Sequence, residues 1–288
     1  FLGNNVYPLL QRMYEIHTVG LSTEDDYTAN LAQEVPDLHE EYEVVLHAAG
    51  KAHVVPKTDA EKKAFFDINY QGTVHLCRAL EKSGIPKAFI FISTVAVYGC
   101  EYGENITEEH PLNGTTPYAV SKRMAEEYLQ EWCHNHNVIL GILRPSLIAG
   151  PNPPGNLGAM IKGIESGKYF SIGGGKVRKS VLMVEDIARL VPLLTKKGGI
   201  YNVCDDSQPT FHELEQLIAK QLRKPLPHNI PYRLAKCMAL TGDCLGSKVP
   251  FNSLKLKKIT KSLTFSNEKA KRELGWAPLN VTECFKIR

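Results

Sequence analysis

Three apolar runs that end in small or polar residues constrain this chain most. They are Glu43-Val44-Val45-Leu46-His47-Ala48-Ala49-Gly50, Ala88-Phe89-Ile90-Phe91-Ile92-Ser93, and residues 138–143, stopped by Arg144-Pro145. A strand with one wet face alternates apolar and polar residues; an unbroken apolar run fits a strand buried on both faces. Between the runs lie helical stretches: residues 58–83, opened by Thr58-Asp59 and closed by Gly84 before Pro86, and residues 117–136. Residues 4–14 read as an earlier helix with Val6, Leu9, Leu10 and Met13 on its apolar side, and 16–21 as a short strand. This alternation predicts an α/β fold, a Rossmann-type doubly wound parallel sheet with helices on both faces. Its ligand crevice should lie outside the strands' C-terminal ends, where Ala48-Ala49-Gly50, Ser93-Thr94 and Pro145-Ser146 fall.

After Gly150 the texture changes. Pro151-Asn152-Pro153-Pro154-Gly155 suits no regular structure and marks a crossing between lobes. Gly173-Gly174-Gly175 reads as a turn, because a strand-like segment at 181–184 follows it where a phosphate cradle would need a helix. Helices are expected at 185–195 and 211–222, with a strand at 200–203 between them. Residues 1–155 and 180–206 then form the nucleotide-binding domain, and 156–179 and 207–288 a smaller substrate lobe. Lys255, Lys257, Lys258 and Lys261 read as a solvated face.

At 288 residues and 43% hydrophobic, the chain can bury a full core. A net charge of +3, spread along the sequence, offers no electrostatic case for nucleic acid or membrane partners. No apolar run is long enough to span a bilayer, and Phe1-Leu2-Gly3-Asn4-Asn5 lacks the features of a signal peptide. Seven cysteines without a CxxC suggest reduced thiols and a cytoplasmic location. Cys133, His134 and His136 point in different directions from one helix end, so no metal is expected.

The chemistry concentrates in Thr115-Thr116-Pro117-Tyr118-Ala119-Val120-Ser121-Lys122. Pro117 suits a first helical turn, and Tyr118 and Lys122 then share one helical face. A phenol loses its proton near pH ~10, and a neighbouring ammonium lowers that value. Such a pair can act as a general acid/base near neutrality, although the spacing also describes many exposed helical pairs. A dinucleotide-binding sheet further needs an opening strand and a Gly-rich turn. Only the last glycine of that turn is available, as Gly3, so the first strand and most of the turn are expected upstream of Phe1.

Several motifs occur in a specific order: Phe1-Leu2-Gly3; Leu46-His47-Ala48-Ala49-Gly50; Asn69-Tyr70-Gln71-Gly72-Thr73; Ser93-Thr94-Val95-Ala96-Val97-Tyr98-Gly99; Tyr118-x-x-x-Lys122; Arg144-Pro145 before Gly150-Pro151; and Leu274-Gly275-Trp276-x-Pro278. In this order the chain resembles an extended short-chain dehydrogenase/reductase of the NAD-dependent epimerase/dehydratase family, whose members act on nucleotide sugars. The resemblance covers nearly the whole chain. It implies Thr94, Tyr118 and Lys122 as catalytic residues, with Lys122 also on the nicotinamide ribose. It implies cofactor contacts at Phe1, Leu2, Gly3, Asn30, Leu31, His47, Ala48, Ala49, Ser93, Pro145, Ser146 and Leu147. It implies substrate contacts at Lys51, Asn69, Thr94, Asn156, Leu157, Arg178 and Lys179. Asn69 fits either a brace for the active site or a hydrogen-bonded structural residue, and either Arg178 or Lys179 fits the diphosphate. The resemblance also implies a nucleotide-diphosphate sugar as partner and a homodimer formed through helices 58–83 and 117–136.

Val95 and Ala96 stand where dehydratases of the family carry Asp-Glu, and neither can exchange protons, which disfavours 4,6-dehydration. That leaves 4-epimerisation or 4-keto reduction of a UDP- or dTDP-sugar. The segments Ala52-His53-Val54, Arg178-Lys179-Ser180 and Lys261-Ser262-Leu263-Thr264-Phe265 look more like polysaccharide-pathway enzymes than housekeeping galactose epimerases. A reductase of a non-nucleotide carbonyl substrate and a non-catalytic dinucleotide sensor are the alternatives. Val19-Gly20-Leu21-Ser22 has neither the strand-end Asp of an NAD site nor an Arg for a 2′-phosphate. NAD is preferred, with NADP not excluded.

Overall fold

In the computed structural model, which describes residues 1–245 and 252–287, the chain opens with helix α1 (Leu2–Leu10). A parallel pair follows, β1 (Val19–Gly20) and β2 (Tyr27–Thr28). Both α1 and β1 are shorter than the apolar spacing predicts. That spacing runs on through Met13 and Leu21, but the packing does not, and these side chains are 53% and 75% exposed.

The three apolar runs become β3 (Val44–His47), β4 (Ala88–Ile92) and β6 (Ile139–Pro145). Between β3 and β4 come α2 (Asp59–Phe66) and α3 (Gly72–Ser83). Sequence periodicity reads these as one helix, and the chain does turn continuously, but a π-helical segment at Asp67–Gln71 separates them. Thr58 and Glu61 form a reciprocal capping box at the start, and Gly84 ends the run. Strand β5 (Gly103–Ile106) and the 20-residue helix α4 (Pro117–His136) precede β6.

After the short strand β7 (Leu147–Ala149), the smaller lobe begins with α5 (Gly155–Glu165) and β8 (Phe170–Ile172). The chain returns through β9 (Val181–Met183), α6 (Val184–Lys197) and β10 (Gly199–Val203). It closes with α7 (Phe211–Leu222), β11 (His228–Ile230), α8 (Tyr232–Leu245), α9 (Ser253–Thr260), β12 (Leu263–Phe265), α10 (Glu268–Leu274) and α11 (Val281–Cys284).

The main sheet is fully parallel, in the order β10-β6-β4-β3. Side chains alternate across a strand, so β4 serves two cores. Phe89 and Phe91 face α3 and α4, among Leu80, Leu129 and Trp132. Ile90 and Ile92 face α1 and α6, among Val6, Leu10, Ile187 and Leu190. A third core joins α5, α7 and β9 through Leu157, Ile164, Met183, Leu214 and Ile218. The C-terminal motif returns to the larger lobe: Trp276 packs with α6, and its Nε1–H donates to Asp186 (3.3 Å). Leu279 N–H donates to the other oxygen of the same carboxylate (2.9 Å).

The lysines of α9 and Lys261 just after it are exposed, as on a solvated face, and make surface contacts. Lys257 and Lys258 pair with Glu101, and the Lys261 ammonium sits 4.1 Å from the Tyr102 ring centroid. Among the described residues no helix is long and apolar enough to cross a membrane.

Candidate active site

A parallel sheet delivers all its strand ends to one edge. Here that edge receives His47-Ala48-Ala49-Gly50 from β3, Ser93-Thr94 from β4 and Pro145-Ser146-Leu147 from β6. Helix α4 starts beside it. The Thr116 hydroxyl accepts the Ala119 N–H (3.2 Å) and Pro117 takes the first helical position, which fixes the start of α4 and the placement of Tyr118.

Thr94 Oγ1 accepts the Ala96 N–H (3.1 Å), capping the short 3-10 turn Val95–Tyr98. Its own proton is not used by that cap. Burial raises the Tyr118 pKa above its ordinary value, and the neighbouring Thr94 side chain opposes that rise without cancelling it.

Lys122 stands one helical turn from Tyr118, with its ammonium held from below. It is 4% exposed, donates to the Ile92 carbonyl at 2.8 Å, and stands 4.6 Å from the centroid of the Phe91 ring. Burial pulls its pKa down to about 8, against the favourable negative charge of Glu126. Thr94 opposes the rise of the Tyr118 pKa, and Lys122 is a sequestered cation one turn away.

The π-helical turn explains the role of Asn69. This side chain is fully buried, and its amide grips the backbone of Lys51 from both sides. Oδ1 accepts the Lys51 N–H (2.6 Å), and Nδ2 donates to the Lys51 carbonyl (3.1 Å). Nδ2 also donates to Ser121 Oγ (2.9 Å), which in turn donates to the Tyr118 carbonyl (3.0 Å). One amide thus ties the loop after β3 to the first turns of α4. A Cβ at Gly50 would come within 3.0 Å of Lys122 Nζ and 3.1 Å of Asn69 Oδ1, so this loop passes close over both.

The ion pair beneath the site was not anticipated. Glu126 continues the Tyr118–Lys122 face by one more turn. It receives Arg144 Nε (3.0 Å) and Nη2 (2.5 Å), and Ser93 Oγ donates to it as well. Arg144 Nη1 donates to the Tyr98 hydroxyl (2.9 Å), which donates to Asn202 Oδ1 (2.7 Å). Strands β4, β6 and β10 are thereby tied to α4. A charged residue between Ala125 and Leu129 on a buried helical face was the signal available in the sequence.

His47 lies just under this edge. Thr73 gives its proton to the Asn69 carbonyl (2.7 Å), so His47 Nε2 must donate to Thr73 Oγ1 (2.9 Å). Burial, with Lys122 nearby, pulls the His47 pKa down to about 3, and the ring is neutral.

Other expected contacts vary in how they are presented. Phe1 packs beside Gly150, Leu2 joins the α1–α6 core, and the space above Gly3 is open. Leu31 packs on Gly72, and its carbonyl accepts from His75 (2.7 Å); Asn30 Oδ1 accepts the Ala32 N–H (3.1 Å). The Ser93 hydroxyl is committed to Glu126. Leu157 is 1% exposed and belongs to the smaller lobe's core, whereas Asn156 is exposed in the first turn of α5. The His53 ring lies against Gly155, so the Lys51 loop meets the start of α5 across the cleft. The Lys51 ammonium sits 5.7 Å from the Phe65 ring centroid, and that ring lies 6.2 Å from Tyr118. Arg178 donates to the Ser207 and Gln208 carbonyls (3.2 and 2.9 Å), and Lys179 to those of Lys258 and Lys261 (3.2 and 2.9 Å). Both cations thus hold backbone in the smaller lobe.

The family model described as NAD dependent epimerase/dehydratase matches residues 1–204. The chain belongs to this family. Among its relatives is the N-acetyl-alpha-D-glucosaminyl-diphospho-ditrans,octacis-undecaprenol 4-epimerase of Escherichia coli O157:H7. That protein is 30% identical over 76% of this chain and 69% of its own length. Members with solved structures share the fold. UDP-glucose 4-epimerase of Thermotoga maritima, solved with UDP-glucose, has a TM-score of 0.74 at 20% identity over 98% of this chain and 92% of that one. RMD from Pseudomonas aeruginosa, complexed with NADPH, has a TM-score of 0.69 at 22% identity over the same shares, 98% and 92%.

The family's dinucleotide fits the residues at this edge. Ser146 Oγ, just past β6, is shielded from solvent and has no hydrogen-bond partner among the described residues. A buried hydroxyl is costly to leave unpaired, and this one lies at the strand edge that faces a dinucleotide in such sheets. Gly50 keeps the same edge free of a side chain above Lys122.

Proposed function

We propose that this chain is a nucleotide-sugar oxidoreductase or epimerase that moves hydride at sugar C4 of a UDP- or dTDP-sugar, for surface polysaccharide synthesis. The observation that carries this is the meeting of Thr94, at the C-terminal end of β4, with Tyr118 in the first turn of α4, where the Thr94 side chain acts on the phenol, and with Lys122 one turn on. The nicotinamide supplies the hydride acceptor and donor. Thr94 and Tyr118 hold the reacting sugar oxygen and exchange its proton. Val95 and Ala96, in the 3-10 turn after Thr94, carry no acid or base, which disfavours elimination of water. Residues 156–179 and 207–288 supply the sugar side, with Asn156 on the rim of α5 and Lys51 and Asn69 at the opposite rim. Phosphate binding by Arg178 or Lys179 requires exchange of their present carbonyl partners. Homodimer formation through α2, α3 and α4 and a cytoplasmic location complete the proposal; the six described cysteines are all free thiols.

The test is a panel of UDP-sugars, dTDP-4-keto sugars and, because of the Escherichia coli relative, a polyprenyl-diphosphate sugar. Sugar interconversion without net cofactor change identifies an epimerase, and stoichiometric loss of NAD(P)H a reductase. No turnover of any sugar, with reduction of a plain carbonyl compound instead, would overturn the proposal.

The buried ammonium sets the pH dependence. Lys122, with its pKa at about 8, carries its charge below that pH and loses it above. A charged Lys122 favours the phenolate state of Tyr118 through which the proton passes. The kcat/KM profile, which reports the free enzyme, is expected to fall as pH rises through about 8. A profile still flat at pH ~9, a full unit above that point, would contradict this.

A further inference from the structure

We infer that Asp25 is the cofactor-specificity residue of this chain, supplying from a loop the carboxylate that β1 lacks and selecting NAD over NADP. This rests on the dinucleotide-binding reading of the strand edge. In a doubly wound domain, an acidic residue about 20 positions beyond the Gly-rich turn accepts a hydrogen bond from the adenosine ribose 2′-OH. The residue at the end of β1 is Gly20, which has no side chain to offer.

The loop that follows, Leu21-Ser22-Thr23-Glu24-Asp25-Asp26, folds back over that glycine. A Cβ built on Gly20 would lie 2.2 Å from Asp25 Oδ2 and 3.0 Å from Oδ1. The carboxylate of Asp25 therefore occupies the volume that a strand-end side chain would fill. The loop is fixed in this shape from within. Ser22 N–H donates to Asp25 Oδ2 (3.0 Å), Asp25 N–H to the Ser22 carbonyl (3.1 Å), and Thr28 Oγ1 to the Ser22 carbonyl (2.9 Å). Oδ1 makes no hydrogen bond among the described residues and remains able to accept one.

Its neighbour differs. Asp26 accepts both the N–H and the hydroxyl of Thr18 (2.7 and 3.1 Å) and serves the turn. The whole loop holds three acids, Glu24, Asp25 and Asp26, and no Lys or Arg. A ribose 2′-OH meets an acceptor there. A 2′-phosphate meets like charge, and the loop itself carries no Lys or Arg to offset it, which selects against NADP by repulsion as well as in favour of NAD by contact. Gly20 is required by this arrangement, because any side chain at that position collides with Asp25.

The test is equilibrium binding, without turnover, of NAD⁺ and NADP⁺ and of the fragments ADP and 2′,5′-ADP. The full chain is expected to favour NAD⁺ over NADP⁺ and ADP over 2′,5′-ADP. Asp25→Asn keeps the loop's size, and should narrow both preferences by roughly 10- to 100-fold, the value of a charge-assisted hydrogen bond. Asp26→Asn should leave them unchanged. Moving the acid onto the strand, as Gly20→Asp in an Asp25→Ala background, should restore the preference and exclude misfolding as its cause. Equal preferences in the parent and Asp25→Asn chains, or a parent that favours NADP⁺, overturn the assignment of Asp25 while leaving the dinucleotide site intact. Failure to bind any of the four ligands overturns both.

Discussion

Tyr118→Phe is expected to lower turnover by ~10²–10⁴-fold, the usual contribution of a positioned acid/base, while dinucleotide affinity stays unchanged. The substitution removes one oxygen from a half-buried ring packed near Phe65, so the helix and its cap remain intact. What is lost is the phenol proton donor, whose pKa the neighbouring Thr94 side chain acts on. Because the phenol pKa is raised by burial, Tyr118 rests as the neutral acid and is poised to protonate a developing alkoxide. Thr94→Val should produce a smaller loss in the same direction, as it removes the hydroxyl but keeps the shape. Turnover by Tyr118→Phe at the parent rate would place the proton transfer elsewhere.

The largest effect on stability is expected from breaking the ion pair beneath the site. Arg144 and Glu126 are 4% and 1% exposed, and the pair has two contacts. Arg144→Met leaves a buried carboxylate with the Ser93 hydroxyl as its remaining donor, and should cost ~3–5 kcal/mol. Tyr98 would also lose the guanidinium that donates to it. An apolar pair of similar volume often replaces a buried ion pair without loss, so Glu126→Leu combined with Arg144→Met should recover much of the deficit. Urea unfolding of the three chains measures this directly. A single variant within ~1 kcal/mol of the parent, the range of an exposed pair, would show that the bridge is not buried in solution.

The fold was legible where hydrophobic pattern and burial agree. The runs at β3, β4 and β6 are apolar on both faces because helices cover both, and α4 is bounded as its cap and proline predict. Legibility failed where spacing continues past the contacts, as at Met13 and Leu21, and where a helix changes winding without changing its pattern, as at Asp67–Gln71. The residues proposed as catalytic were legible as candidates because the proposed chemistry demands those groups at that spacing. Their electrostatics were not. Helical geometry places Lys122 beside Tyr118, but it cannot show that the Ile92 carbonyl and the Phe91 ring hold the ammonium. Nor can spacing in sequence reveal that Asp25 returns to Gly20, or that Glu126 meets Arg144 from another strand.

Hydride transfer at sugar C4 is the centre of this proposal, and isotope tracing follows the atom itself. A nucleotide sugar that turns over in the panel, carrying deuterium at C4, is incubated with the full chain and unlabelled dinucleotide, and the bound cofactor is trapped during turnover. Deuterium is expected on the nicotinamide ring, and again on sugar C4 in the product if the reaction is epimerisation; for a keto sugar, label supplied on the nicotinamide should appear at C4. Deuterium lost to water, with none on the nicotinamide at any time, would contradict hydride transfer and leave Thr94, Tyr118 and Lys122 without the reaction assigned to them.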